Sequence, residues 1–425
     1  MLKKLISNIG IFQDKSTIWT ALLSIFLFWI SLGIGENMSD SRYWVTATWQ
    51  TIKFEWILII IYISTEKKLW IFREVWDNHR TNVILTLLWF LSLFVSYLNA
   101  PSYSYTNPLA LMRLVETISH IAFFMFVWHL FNRYKINYKV LFLSIIVPTL
   151  LIIVYFVYIK LVFPELEADR HVFSIRSELL LINTHFHRIG YEVETVIVLT
   201  AAFLYMKHLR WLVLIILLIE ILFLLWLGGR ASILGLVSLI PIMMYLYKKR
   251  ITLKLISMVG IVLLSLTFVV GAFDSPYFIN MIQRTFHAPS LNALTSGRIE
   301  VWSLALNELQ GYWLLGTGPQ SYFFYLGRSP EVIHAHNVIL QFIGEWGIIG
   351  TSLFLVLFYK GVLYGLYLYK GKTDDTCRLT AGLIVLALSV TSLFSGIYFT
   401  QQSSVYVLIM MAIWISSKNH KQLAK

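Results

Sequence analysis

Residues 211–235 read WLVLIILLIEILFLLWLGGRASILG. An apolar run fills 211–227, Gly228, Gly229 and Arg230 interrupt it, and a second apolar run follows over 231–247. About 20 predominantly apolar residues are what a helix needs to cross a bilayer's hydrocarbon core. The stretch therefore predicts two membrane helices joined by a tight turn, with one guanidinium at the membrane edge. The pattern recurs outward in both directions. Twelve candidate spans lie near 17–35, 44–64, 81–98, 110–131, 140–159, 192–206, 211–227, 231–247, 255–273, 347–367, 379–396 and 403–416. The 425 residues are 58% hydrophobic and 13% charged, with a mean hydropathy of +0.72. A soluble chain would carry about a quarter charged residues. The expected fold class is all-α: a polytopic membrane protein, one integral membrane domain over 1–425, with about 12 transmembrane helices.

The net charge of +12 matters through its distribution, because cytoplasmic loops collect Lys and Arg. Lys3, Lys4 and Lys15 precede the first span; Lys67, Lys68, Arg73 and Arg80 follow the second; Arg133, Lys135 and Lys139 follow the fourth. Lys207 and Arg210, then Lys248, Lys249, Arg250 and Lys254, then Lys370, Lys372 and Arg378 continue the alternation, and Lys418, Lys421 and Lys425 end it. The intervening loops are poor in these residues, and NAPSYSYTNPL and GIYFTQQ hold none. Both termini are expected to be cytoplasmic, with two long outer loops at 160–191 and 274–346. The run 17–35 is too long for a signal-peptide core and reads as a retained first span. A single cysteine, Cys377, excludes an intramolecular disulfide and a cysteine-based metal cluster.

Cations are scarce on the outer side, so those present are informative. Arg230 follows two glycines at the outer end of two spans; Arg298 opens TSGRIEVWSLALNEL. There Ile299, Val301, Trp302, Leu304, Ala305, Leu306 and Leu309 are spaced for an amphipathic helix lying on the membrane or the bundle. A helix start favours anions, and arginine grips phosphate oxygens with two parallel hydrogen bonds. The competing reading makes both arginines interfacial anchors. Further on, HAHNVILQFIGEWGIIG places His334, His336 and Asn337 at the lip of a span. Neutral imidazole can accept a proton near physiological pH, so His336 could deprotonate a sugar hydroxyl. The alternative is a simple helix start with Asn337 as its cap. A metal held by His334 and His336 with His185 and His187 is a weaker reading, since no carboxylate stands at ligand spacing. Arg113 and Glu116 fall three apart and can pair within the fourth span.

The fragments GGRASILG, TSGRIEVWSLAL, GTGPQSYF and HAHNVILQFIGEWGIIG, in this order, resemble the O-antigen ligase and O-antigen polymerase superfamily of bacterial envelopes, over residues 210–370. The resemblance implies a GT-C-like fold in the inner membrane, with 274–346 as a large periplasmic loop carrying part of the active site. It implies an inverting, metal-independent glycosyltransferase that needs no cofactor. The donor would be an undecaprenyl pyrophosphate-linked glycan; the acceptor would be lipid A–core for a ligase, or another glycan repeat unit for a polymerase. Arg230 and Arg298 match the arginines that hold pyrophosphate, and His336 matches the catalytic base, with His334 and Asn337 as supporting residues. Membrane lipids are expected partners and nucleic acid is not. A non-enzymatic lipid-linked glycan flippase is the competing class. It should line a central cavity with charges from several spans and show pseudo-symmetric halves, whereas this sequence reads as keeping nearly all its charge in loops and shows no internal repeat.

Overall fold

The computed structural model describes residues 14–32, 43–66, 71–99, 106–162, 186–205, 209–247, 283, 285–319, 335–369, 376–397 and 401–416. Every regular element among them is helical. In chain order these are α1 (Lys15–Ser31), α2 (Tyr43–Glu66), α3 (Ile71–Leu98), α4 (Thr106–Arg133), α5 (Tyr138–Val162), α6 (Phe186–Ala202), α7 (Arg210–Leu227) and α8 (Arg230–Tyr247). Then come α9 (Leu291–Leu294), α10 (Arg298–Glu308), α11 (Val338–Tyr369), α12 (Thr376–Ser392) and α13 (Gln401–Ile415). Within the described residues, five helices are long and apolar enough to cross a membrane: His79–Leu98, Leu111–Arg133, Tyr138–Tyr158, Arg210–Leu227 and Val338–Leu368. The described residues are thus all helical, and the chain is a multi-pass membrane protein. The expected span at 255–273 lies outside the described residues.

Local chemistry accounts for several helix ends. Asp14 caps α1, its carboxylate accepting the Ser16 N–H at 3.1 Å. Gly228 ends α7 in the left-handed region (φ 66°), and its N–H donates to the Leu225 carbonyl at 3.0 Å. Several helices begin earlier than the apolar pattern predicts, two of them inside the expected outer loops. Helix α6 starts at Phe186 rather than 192, inside the expected 160–191 loop, and α11 starts at Val338 rather than 347, inside the expected 274–346 loop. Both early turns mix polar residues with apolar ones, which hydropathy discounts and helix-end hydrogen bonds do not.

Helix α12 sits at the centre, packed against α6, α8 and α13. Small residues permit this. A Cβ added at Gly382 of α12 or at Gly365 of α11 would fall 2.6 Å from the Trp414 indole of α13. In a bilayer, helix association rests on such close packing because lipid is as apolar as leucine. Polar contacts tie the ends of the bundle. At one end Tyr406 and Ser31 share a 2.7 Å hydrogen bond, and Gln402 donates to the Ile30 carbonyl at 2.8 Å. At the other, the Asn137 N–H donates to Thr20 at 3.2 Å, and Tyr138 meets Ser416 at 3.4 Å.

Helix α11 is broken at Gly347 (φ 67°, ψ 178°). A continuous helix would bond the Ile348 and Ile349 N–H groups to the Gly344 and Glu345 carbonyls. Instead those amides donate to Trp313 (2.7 Å) and Leu314 (3.3 Å), while the two carbonyls accept from the amides of Thr317 (2.8 Å) and Gly318 (3.1 Å). The turn over 313–318 is therefore inserted into the helix, and four bonds replace the two lost. Irregular backbone at membrane depth is tolerated only when satisfied in this way. Asn99, at the end of α3, adds a bond to the Gly316 carbonyl at 2.9 Å.

The expectation that charge stays in loops is corrected. Glu55, Arg113, Glu116, Glu192, Glu194, Glu220, Glu345 and Arg378 are all buried within helices. Most interrupt an apolar run too briefly to lower its hydropathy, whereas Arg378, counted above as a loop residue, lies in the first turn of α12. The Arg113–Glu116 pair forms as the spacing predicts. It extends to His120, which lies 3.5 Å from Glu116 and hydrogen-bonds Glu55 of α2 at 2.7 Å. Charge placement alone therefore does not separate a transferase from a transporter.

Candidate active site

Arg230 is the first residue of α8, half-buried. Its guanidinium donates to the Leu294 carbonyl at 2.8 Å and to the Ser296 hydroxyl. These acceptors lie in the turn between α9 and α10, which Ser290 opens by capping Ala293 at 3.1 Å. Ser296 (φ 57°) and Gly297 (φ 80°) are both left-handed, and this double reversal starts α10 at Arg298. The turn thus brings the second arginine to the first. Burial lowers the Arg298 pKa from its ordinary value; the Tyr191 phenol on α6 opposes that shift and the Arg230 cation adds to it. Two like charges are held together beside a helix N-terminus, whose dipole also attracts anions.

Helix α10 carries the constellation onward. The amphipathic helix forms where predicted, with a narrower buried seam than its apolar residues suggested. Ala305 and Leu309 are buried, with Val301 packed beside them, whereas Ile299, Leu304 and Leu306 are exposed. Trp302 donates its indole N–H to the Ala335 carbonyl at 2.8 Å, and the Ala335 N–H donates to Gln341 at 3.0 Å. Ala335 is fixed on both sides, and His336 follows it with φ 52°. A non-glycine residue in this region costs roughly 1–3 kcal/mol and persists only when its surroundings hold it there. Asn337 supplies the other constraint. Its side-chain oxygen accepts the Leu340 N–H at 2.9 Å, capping α11, and its amide donates to the Leu393 carbonyl at 3.1 Å just beyond α12. The capping reading of Asn337 is correct, and the cap also ties α11 to α12.

The end of α12 closes the circuit. Thr391 lies 3.3 Å from the Ala231 carbonyl, beside Arg230. Contacts therefore run from Arg230 to the 294–298 turn, along α10 to Ala335, through His336 and Asn337 to Leu393, and back through Thr391 to Ala231. Arg230, Arg298 and His336 share one rim at one end of the bundle. His334 and His185 lie outside the described residues, and nothing is described of the His187 side chain beyond its place in α6. Among the described residues no group of three His, Cys, Asp or Glu side chains is arranged to hold a metal ion. A cavity of about 450 Å³ lined by Gln283, His287, Ala288, Pro289 and Ala293 borders the Arg230-bound turn. None of the three rim residues lines it, so it is a neighbour of the rim and not the rim itself.

Sequence reasoning missed Trp302 and Thr391 as supports because their partners are distant in the chain, and Gln341, six residues from Ala335, because it stands alone in an apolar run. It also missed the buried acids Glu192, Glu194 and Glu220. Their signal was available: an ionisable residue in an apolar run is a functional candidate by default.

Among curated proteins nothing matches this chain. Residues 211–355, which include the opening apolar pair, both arginines, His336 and the break in α11, match the O-antigen ligase family model. Sequence motif and three-dimensional arrangement thus converge on the same stretch, residues 211–355, which is similar to the O-antigen ligase family.

Proposed function

We propose that the protein is an inverting, GT-C-like glycan transferase of the bacterial inner membrane, with about 12 spans and its rim on the periplasmic side. It moves a glycan from undecaprenyl pyrophosphate to lipid A–core. The observation that carries this reading is the shared rim: two adjacent arginines at a helix start, linked through α10 to a constrained histidine. Arg230 and Arg298 hold the pyrophosphate, whose lipid tail keeps it at the membrane surface. His336 takes the proton of the acceptor hydroxyl as its oxygen attacks the anomeric carbon. The bond from that carbon to the pyrophosphate oxygen breaks, the electron pair leaves with the phosphate, and the arginines offset the growing charge. Attack opposite the leaving group inverts the anomeric configuration. No metal is required by this scheme. A polymerase would use the same rim with a glycan repeat unit as acceptor.

The test is transfer by the purified full-length protein with a lipid-linked glycan donor and lipid A–core acceptor. Arg298→Lys should lose at least about 100-fold in turnover, since an ammonium cannot reproduce the bidentate fork. Ser296→Ala removes one partner of Arg230 while keeping both guanidinium groups, and should cost much less. Full activity in Arg230→Lys and Arg298→Lys, retention of configuration by NMR, or loss of activity in EDTA would overturn the mechanism. In a deletion strain, accumulated lipid-linked polymer indicates a ligase and single capped units a polymerase.

A further inference from the structure

Directly beneath the rim lies an acid that the proposed mechanism does not use. Glu194 of α6 is fully buried. Its Oε1 accepts the Thr391 hydroxyl at 2.7 Å, and Ser232 of α8 is a second hydrogen-bond partner. Its Oε2 is buried with no hydrogen-bond partner among the described residues. Gly235 makes room for it: a Cβ there would stand 2.2 Å from Glu194 Oε1 and 2.1 Å from Thr391 Oγ1. The last glycine of GGRASILG is thus a seat for this carboxylate. Burying an acid in an apolar bundle is costly, and packing alone would favour leucine. The contacts show what the acid adds. Thr391 touches both Glu194 and the Ala231 carbonyl next to Arg230, and two residues later Leu393 receives the Asn337 cap that underlies His336.

We infer that Glu194 is a positioning residue: through Thr391 and Ser232 it couples the start of α8, which carries Arg230, to the Asn337 cap that sets His336. The inference rests on the transferase reading for its kinetic test and on geometry alone for its second test. With the full-length protein in lipid nanodiscs, turnover and donor KM are measured for Glu194→Ala, Glu194→Gln, Thr391→Val and the Glu194→Ala/Thr391→Val pair. Small displacements of reacting groups cost up to about 10²-fold. Glu194→Ala and Thr391→Val should each lower kcat about 10–100-fold with donor KM within about threefold, and the pair should be no worse than the worse single variant. Glu194→Gln, which keeps the Oε1 acceptor, should stay within about threefold of the parent. Wild-type kcat per folded molecule in Glu194→Ala, fully additive losses, or no rescue by Gln would each overturn the assignment. In parallel, hydrogen exchange is followed by mass spectrometry. Glu194→Ala should speed exchange in both 228–233 and 336–341. A change confined to α6 would overturn the coupling even if the parent protein transferred no glycan.

Discussion

His336 occupies backbone space that histidine enters only under constraint, and the constraints are visible on either side of it. Ala335 is held through both its carbonyl and its N–H, and Asn337 through both ends of its amide. Such strain is a pointer to function when it is observed rather than assumed. A positioned general base contributes about 10²–10⁴-fold, so His336→Ala should lower turnover by that order with donor binding nearly unchanged. His336→Asn separates chemistry from backbone strain, because asparagine tolerates the left-handed region. It should keep the thermal stability of the parent while losing turnover as Ala does. Parental turnover in both variants would remove His336 from the mechanism. Arg230 carries a different lesson. Its two hydrogen bonds to the 294–296 turn make it a scaffold for Arg298 as well as a cation, so anchoring and anion-binding are roles it can combine.

At the scale of elements, the break in α11 is the feature that apolar patterning cannot express. The apolar pattern places a span at 347–367, and only the structure shows that the helix begins at Val338 and is split at the left-handed Gly347 by the inserted 313–318 turn. A Cβ at Gly347 would lie 2.2 Å from the Leu314 carbonyl oxygen. Gly347→Ala should therefore destabilise the protein by about 2–4 kcal/mol, from left-handed strain plus overpacking. Gly311 (φ 89°) has nothing within 4 Å of its would-be Cβ, so Gly311→Ala should cost only about 1 kcal/mol. Thermal unfolding in detergent compares the two, and equal midpoints would mean that the inserted turn does not hold α11. The same break brings the 316–318 backbone against α11, which accounts for the glycine at 316: Gly316 and Gly347 cross backbone to backbone, a Cβ at Gly316 standing 2.5 Å from the Gly347 nitrogen.

For the whole molecule, the question is which side the rim faces. The rim lies at the same end as the Leu227–Arg230 turn, and lysine and arginine alternate against that end along the chain. In the proposed orientation, with both termini cytoplasmic, the rim faces the periplasm. Ser290 is exposed on the turn that leads to Arg298. Ser290→Cys should therefore react with a membrane-impermeant thiol reagent in intact spheroplasts, while native Cys377, which the proposed orientation puts on the cytoplasmic side, should not. Labelling of Cys377 without labelling at position 290 would invert the orientation and remove the periplasmic reading.

Membrane embedding, helical class and the approximate place of most helices were legible from sequence, because each depends on neighbours within about 20 residues and on a solvent that forbids unpaired backbone. Arg230, Arg298 and His336 were legible as candidates because they are scarce polar groups at the edges of apolar runs. What joins them was not legible. The Trp302–Ala335, Asn337–Leu393 and Thr391–Glu194 contacts span 33, 56 and 197 residues, and no local pattern encodes a hydrogen bond at that separation. The buried acids were hidden for a related reason: one carboxylate among leucines barely changes a hydropathy average, and its partners lie on other helices. The tertiary structure alone decided that a glycine seats Glu194, that a turn splits α11, and that two arginines and a histidine share a rim, because each depends on which helices pack side by side.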